Sequence, residues 1–192
     1  MDYGDHASEQ QKPGLLRNLL SILGTILLFV AVSWVLRALV VQPYEIPSGS
    51  MEDTLQVGDR LFAEKVTYYL EEPSYGDIVT FEDPEIPSRT LIKRVIATGG
   101  QTVDLQDGRV LIDGVPLTEP YTDGLPSYPL TPAYGSSLVY PYTVPEGYLW
   151  VMGDNRTNSQ DSRYFGAIPA DSVTGKAFFI YWPLDRIGPL AS

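Results

Sequence analysis

Two regimes of hydrophobic patterning divide the chain. Between Arg17 and Arg37 nineteen residues run without a charge, NLLSILGTILLFVAVSWVL, and the apolar character resumes as ALVV before Gln42 and Pro43 stop it. At about 1.5 Å of rise per residue such a run spans the roughly 30 Å of a bilayer's hydrocarbon. It predicts a transmembrane helix over 18–41, with Trp34 and Arg37 near one interface, preceded by a polar tail over 1–17. A buried core helix rarely stays uncharged for this length. A cleavable secretory signal is the stronger rival, because Lys12 and Arg17 form a basic n-region and Ala31-Val32-Ser33 is a small-x-small triplet. The apolar run continues past that triplet through Trp34, Val35 and Leu36, which suits an uncleaved anchor better. Lys12 and Arg17 flank one end, and after Arg37 no base follows until Arg60, so the positive-inside bias places the tail in the cytoplasm and the remainder across the membrane.

Beyond Pro43 the helical period vanishes. Short β-rich runs replace it at 60–66, 77–81, 90–98, 102–105, 109–113, 148–152 and 176–182, separated by turn signals. Asp107-Gly108 and Asp113-Gly114 are hairpin turns between such runs. The fold class is therefore mainly β: a transmembrane helix followed by an all-β domain over 42–192. Residues 119–146, where Pro, Gly, Ser and Tyr interleave without a period, read as a long irregular excursion. Tyr121, Tyr128, Tyr134, Tyr140 and Tyr142 are expected simply to pack beneath it.

Charge sharpens this division. The net charge is −11; residues 1–41 balance three acids with three bases, and residues 42–192 carry twenty-one acids against ten bases. Such an acidic body excludes nucleic acid as a partner. Cysteine is absent and the only histidine, His6, lies in the tail, which excludes cysteine proteases, zinc–thiolate sites and any Ser-His-Asp triad in the body. No metal and no cofactor are expected. Lysine occurs only at 12, 65, 93 and 176, so a reaction that needs a nitrogen base has few candidates.

Three stretches could carry chemistry. In Ile46-Pro47-Ser48-Gly49-Ser50-Met51 two hydroxyls flank a glycine, with Ser50 nine residues past Val41, and such a turn can expose a serine and aim backbone N–H groups at an oxyanion. Taken alone, Ser-Gly-Ser is usually a loop. A serine nucleophile needs a base. Lys93 sits in Thr90-Leu91-Ile92-Lys93-Arg94-Val95-Ile96, a strand apolar on both faces, so one of its cations must meet a low-dielectric environment. Burial lowers a lysine's pKa and makes the amine a base near neutral pH; Arg94 would need an ion pair or water. Equally open is that Lys93 reaches solvent from an edge strand. The third stretch, Gly153 to Gly166, is dense in hydrogen-bonding groups and holds Asp154, Arg156, Asp161 and Arg163 for internal ion pairing. It fails as a calcium loop, with Arg156, Ser159 and Phe165 at the positions that need a ligand, a glycine and a glutamate. It is either a structural polar knot or a set of hydrogen bonds that orients a neighbouring site.

Together, PSGSM (47–51), the Lys93-Arg94 pair after an apolar strand and GDNRTNSQDSRYFG (153–166), in that order behind a membrane helix, resemble the signature boxes of type I signal peptidases. GDRLFAEKV (58–66) and GDIVTF (76–81) match the intervening segments, and the likeness covers about residues 43–183. The resemblance implies Ser50 as nucleophile, Lys93 as general base, and the Ser48 hydroxyl with the Ser50 amide as oxyanion hole. It further implies that Ser159 hydrogen-bonds the lysine amine, that Asp161 and Arg163 form a supporting pair with Asp154 and Arg156 beside it, and that Tyr44, Ile46, Met51, Leu55 and Ile92 line shallow substrate pockets. Glu52-Asp53 departs from the family pattern, in which a proline often occurs two residues after the methionine. The single helix and short domain resemble the compact bacterial and thylakoid members. The implied partners are the signal peptides of preproteins and membrane lipid, and the implied location is the extracytoplasmic face of a cell or thylakoid membrane, with cleavage after small residues as in Ala-x-Ala. The competing reading from another class is a membrane-tethered β-domain that binds partners without catalysis.

Overall fold

The computed structural model describes residues 14–133 and 138–190, with the backbone alone for 36–39. His6, Lys12, most of the tail, Tyr134 and the Arg37 side chain thus lie outside the described residues. The chain divides into two compact units, with the boundary between Ala38 and Leu39.

The first unit contains all but the last residue of α1, Leu15–Leu39. Its window Leu15–Val35 has a mean hydropathy of 2.1 and is wholly unburied, long and apolar enough to cross a membrane. The helix stops two residues short of the expected end at 41. Val41 instead opens β1, Val41–Glu45, paired with Glu64. Pro43 has no N–H to give a helix and disfavours helical geometry at Gln42, while β-branched Val41 suits a strand.

The body contains two antiparallel sheets. The larger is built from β1, β2 (Arg60–Glu64), β3 (Ile78–Glu82), β4 (Thr90–Thr98), β9 (Tyr148–Met152), β10 (Ile168–Pro169), β11 (Val173–Trp182) and β12 (Gly188–Pro189). Its order is β1-β2-β11-β3-β4-β9-β10, with β12 paired to β11. The smaller contains β5 (Thr102–Gln106), β6 (Arg109–Ile112), β7 (Val115–Pro116) and β8 (Tyr142–Thr143), in the order β7-β6-β5-β8. The mainly β class and the seven anticipated strands are present, with β4 and β9 at the expected bounds. Asp107-Gly108 and Asp113-Gly114 take positive φ at both residues, the geometry that matches a tight hairpin to strand twist. A short helix, α2 (Ser162–Phe165), interrupts the otherwise β body.

Three apolar clusters hold the sheets. One, around Ile46, Met51, Leu55, Leu61 and Ile78, lies under the Ser48–Met51 turn. A second joins the two sheets through Ile96, Val103, Val110, Trp150 and Met152. A third includes Val79, Phe81, Val95, Leu149 and Val151. Alternation along β4 sends Val95 to one cluster and Ile96 to another, so the strand is covered on both faces.

The excursion 119–146 is not uniformly irregular, since β8 pairs with β5. Tyr140 and Tyr142 pack on Trp150, at ring-centroid distances of 6.1 and 4.9 Å. Tyr128 is instead 57% exposed, and Tyr121 does more than fill space, lying 4.1 Å under the Arg94 guanidinium.

Candidate active site

Ser50 lies in a single turn of 3-10 helix, Gly49–Met51, entered from Ser48 in extended geometry. Met51 and Leu55 are fully buried and anchor the turn, and Leu55 N–H donates to Met51 O at 2.7 Å. Asn155 holds it from the other side: its N–H donates to Ser50 O (3.2 Å) and its Nδ2 to Gly49 O (3.0 Å). Backbone N–H groups in the first turn of a helix have no intrahelical partner, which leaves the Ser50 amide suited to an incoming oxyanion.

Lys93 reaches this turn from β4. It is 2% exposed, and its Nζ donates to Ser50 Oγ at 2.6 Å. Burial pushes the amine's pKa down to about 8; the attraction of Asp161 and Asp154 opposes this, and Arg163 and Arg89 add to it. The solvent-exposed alternative for Lys93 is thus overturned: β4 is no edge strand but pairs with β3 on one side and β9 on the other, and the Lys93 side chain is buried. Ser48, Ser50, Lys93 and Ser159 share the wall of a cleft of about 620 Å³, together with Leu91, Leu130 and Phe165. A larger groove of about 1410 Å³, lined in part by Tyr69, Glu72 and Tyr148, includes neither Ser50 nor Lys93.

Three buried arginine–carboxylate pairs surround the two residues. Arg94 donates Nε and Nη2 to Asp154 (2.9 and 2.8 Å) and Nη1 to Gly76 O (2.8 Å), and Thr54 Oγ1 adds a 2.5 Å bond to the same carboxylate. Arg163 donates Nε and Nη2 to Asp161, both at 2.9 Å, and Asp161 also accepts from Gly153 N–H at 3.0 Å. Arg156 donates Nη1 and Nη2 to Glu119 (2.8 and 2.6 Å), and its pKa is raised by that carboxylate against the opposing effect of burial. The expected Asp161–Arg163 pair is present. Asp154 and Arg156 do not pair with each other; each takes a partner from elsewhere in the chain.

Two expectations need correction. Ser159 lies beside Ser50 and Lys93 in the cleft wall but does not bond Lys93: its Oγ is buried with no hydrogen-bond partner. It sits over Gly153, where a Cβ would collide with Ser159 Oγ and with the Ser50 carbonyl, so the close approach depends on that glycine. Ile46, Met51 and Leu55, at 3%, 0% and 0% exposure, belong to the core beneath the turn and do not line the cleft. Tyr44 and Ile92 are partly buried against that core. Closeness in sequence to Ser50 cannot separate the wall of a pocket from the packing that supports it. Sequence reasoning missed Thr54, Glu119 and Ser127; the need of Arg94 for an ion pair was foreseeable, but its partner was not. Among the described residues no group of three or more His, Cys, Asp or Glu side chains is disposed to hold a metal ion.

A profile of the family described as signal peptidase, peptidase S26, matches residues 17–182. The chain is 44% identical to a probable signal peptidase I-1 of Synechocystis over 82% of this chain and 79% of the relative. It is 40% identical to signal peptidase I of Leptolyngbya laminosa, over 86% and 81%. A chloroplastic thylakoidal processing peptidase 1 of Arabidopsis thaliana is 34% identical over 82% of this chain and 47% of the relative. The crystal structure of a signal peptidase I from Enterococcus faecalis superposes with a TM-score of 0.44 at 31% identity, covering 55% of this chain and 97% of that one. With the family profile covering most of its length, the chain belongs to the signal peptidase family, peptidase S26.

Proposed function

We propose that the chain is a membrane-anchored serine endopeptidase that removes signal peptides from exported preproteins by a Ser50–Lys93 dyad. The observation that carries this reading is the 2.6 Å contact between Ser50 Oγ and the amine of a lysine only 2% exposed. With its proton lost, the Lys93 amine accepts the Ser50 hydroxyl proton as Oγ attacks the scissile carbonyl. The carbonyl oxygen becomes an oxyanion, held by the Ser50 amide and the Ser48 hydroxyl. Lys93 then returns the proton to the departing amine, which leaves an acyl-Ser50. A water deprotonated by the same amine attacks this ester and frees the enzyme. Asp154, Asp161, Arg156 and Arg163 keep the two segments that carry the reacting groups in register.

The helix Leu15–Leu39 acts as the anchor between a cytoplasmic N-terminal tail and an extracytoplasmic catalytic domain that opens with β1. The extended substrate pairs its backbone with strand edges beside Ser50. Tyr44 and Ile92, on the apolar cluster of Ile46, Met51 and Leu55, bound shallow subsites for the residue before the scissile bond and the one two positions earlier. Because that cluster closes the space beneath Tyr44 and Ile92, the subsites stay shallow, admitting alanine-sized groups and clashing with larger ones. The test is a preprotein series varied at those two positions and cleaved by the purified full chain in detergent. Replacing alanine by leucine or phenylalanine before the scissile bond should slow cleavage by about 10- to 200-fold. Equal cleavage would contradict the proposal.

A further inference from the structure

Of the three buried arginines around Ser50 and Lys93, Arg94 and Arg163 find their carboxylates in the loop after β9, as Asp154 and Asp161. Arg156 does not. Its partner is Glu119, which lies in the excursion that leaves the smaller sheet after β7. The contact is built on both sides. The Arg156 side chain is wholly buried and that of Glu119 is 10% exposed, and Ser127 from the same excursion accepts a further bond from Arg156 Nη1 at 2.8 Å. Tyr121 donates to Glu119 Oε1 at 3.2 Å while its ring lies under Arg94, and the Tyr128 carbonyl accepts from Arg163 Nη1 at 3.4 Å, so the excursion touches all three arginines.

The other edge of Arg156 points toward the chemistry. Its Nε donates to Gly153 O at 2.9 Å, and the Arg156 carbonyl in turn accepts from Arg163 Nη2 at 2.8 Å. Gly153 is the residue against which Ser159 Oγ and the Ser50 carbonyl pack. A continuous path therefore runs from Glu119 through the Arg156 guanidinium to the backbone that abuts the nucleophile turn.

We propose that Glu119 is a positioning residue for the reaction: by holding Arg156 bidentately it fixes the Gly153 segment against Ser50, so the smaller sheet's excursion braces the active site. The proposal rests on the reading of Ser50 and Lys93 as the reacting pair. A displacement of about 1 Å at a reacting group can cost on the order of a hundredfold in rate. Replacement of Glu119 should thus slow the reaction without removing any group that touches substrate.

The experiment measures both the number of reactive chains and the rate of each. The purified full chain in detergent is titrated with an acylating penem; the label per chain counts competent molecules, and its rate of appearance reports their reactivity. For Glu119→Gln one label per chain is expected, appearing about 10- to 100-fold more slowly than in the wild type. A wild-type rate would overturn the proposal. So would a reduced stoichiometry at the wild-type rate per labelled chain, which is the signature of a merely structural pair. Leu149→Ala, a core truncation at the end of β9 away from the loop, is the comparison and should retain the wild-type rate per labelled chain. If Glu119→Gln does not fold, Glu119→Asp, which keeps the charge but shortens the reach, is measured in the same way; a smaller slowing is expected, and a wild-type rate again overturns the proposal. Ser50→Ala is run in parallel. Labelling that survives in Ser50→Ala refutes the reacting pair itself, an outcome distinct from any result at Glu119.

Discussion

Replacing Lys93 by methionine should abolish activity and make the protein more stable. Lys93 is 2% exposed and its pKa is about 8, against an ordinary value of 10.5. The folded state therefore holds the ammonium less favourably than the unfolded chain does. Below pH 8 both states are protonated and the full penalty applies, about 3 kcal/mol from the difference between those two values at 1.36 kcal/mol per pKa unit. Between pH 8 and 10.5 the unfolded chain binds more protons than the native one, so the stability of the wild type rises with pH through that window. The penalty should fall to about 1 kcal/mol by pH 10. Methionine fills a similar volume and carries no charge, but it forfeits the bond to Ser50 Oγ, worth about 1 kcal/mol. The net gain at pH 7 is then about 2 kcal/mol, or roughly 4–8 °C in Tm for a chain of this size. The assay is urea unfolding of both full-length proteins in the same micelles at pH 7 and pH 10, so that titrations common to the two cancel. Lys93→Met should be the more stable at pH 7 and lose most of that advantage at pH 10. A variant less stable than the wild type at pH 7, or an advantage independent of pH, would refute the claim that burial of this amine sets its basicity.

Further outcomes follow from the same geometry. Cleavage of a preprotein at low substrate concentration should rise about tenfold from pH 7 to 9 and then level off, as the neutral fraction of an amine with a pKa of about 8 does; a lysine at 10.5 would give a rise of about a hundredfold without a plateau. Gly153→Ala should lower kcat by about 10- to 100-fold, because the new Cβ displaces Ser159 or the Ser50 carbonyl; full activity would show that the close approach is dispensable. Ser159→Ala removes a buried hydroxyl that has no partner and should raise stability by about 1 kcal/mol in thermal unfolding; unchanged or lower stability would show that the hydroxyl is satisfied in the folded chain.

What could be read from the sequence depended on how local the signal was. β4 was legible to the residue because nine positions apolar on both faces admit few other readings. β1 was not, because Val40 and Val41 continue the helix's apolar run and only pairing with β2 reassigns Val41. Strands of two residues, such as β7 and β8, have no period to detect. In the site, Lys93 stood out because the chain offers so few lysines and one histidine, and Ser50 because its Ser-Gly-Ser turn follows so soon after the apolar run. The matching of acids to arginines was hidden: Asp154 lies two residues from Arg156 yet pairs with Arg94, and Arg156 pairs with Glu119, thirty-seven positions away in an aperiodic stretch. Such pairings are set by how the two sheets dock, which no local pattern records.

The central claim, that Ser50 attacks and Lys93 removes its proton, is tested most directly by following covalent acylation of the purified full chain with a penem. Intact-mass and peptide analysis would locate the adduct, and its rate would be measured against pH in the wild type and in Lys93→Arg. A single adduct on Ser50, forming with a midpoint near pH 8 and lost in Lys93→Arg, is the predicted result. An adduct on another residue, or acylation of Ser50 at an undiminished rate in Lys93→Arg, would contradict it.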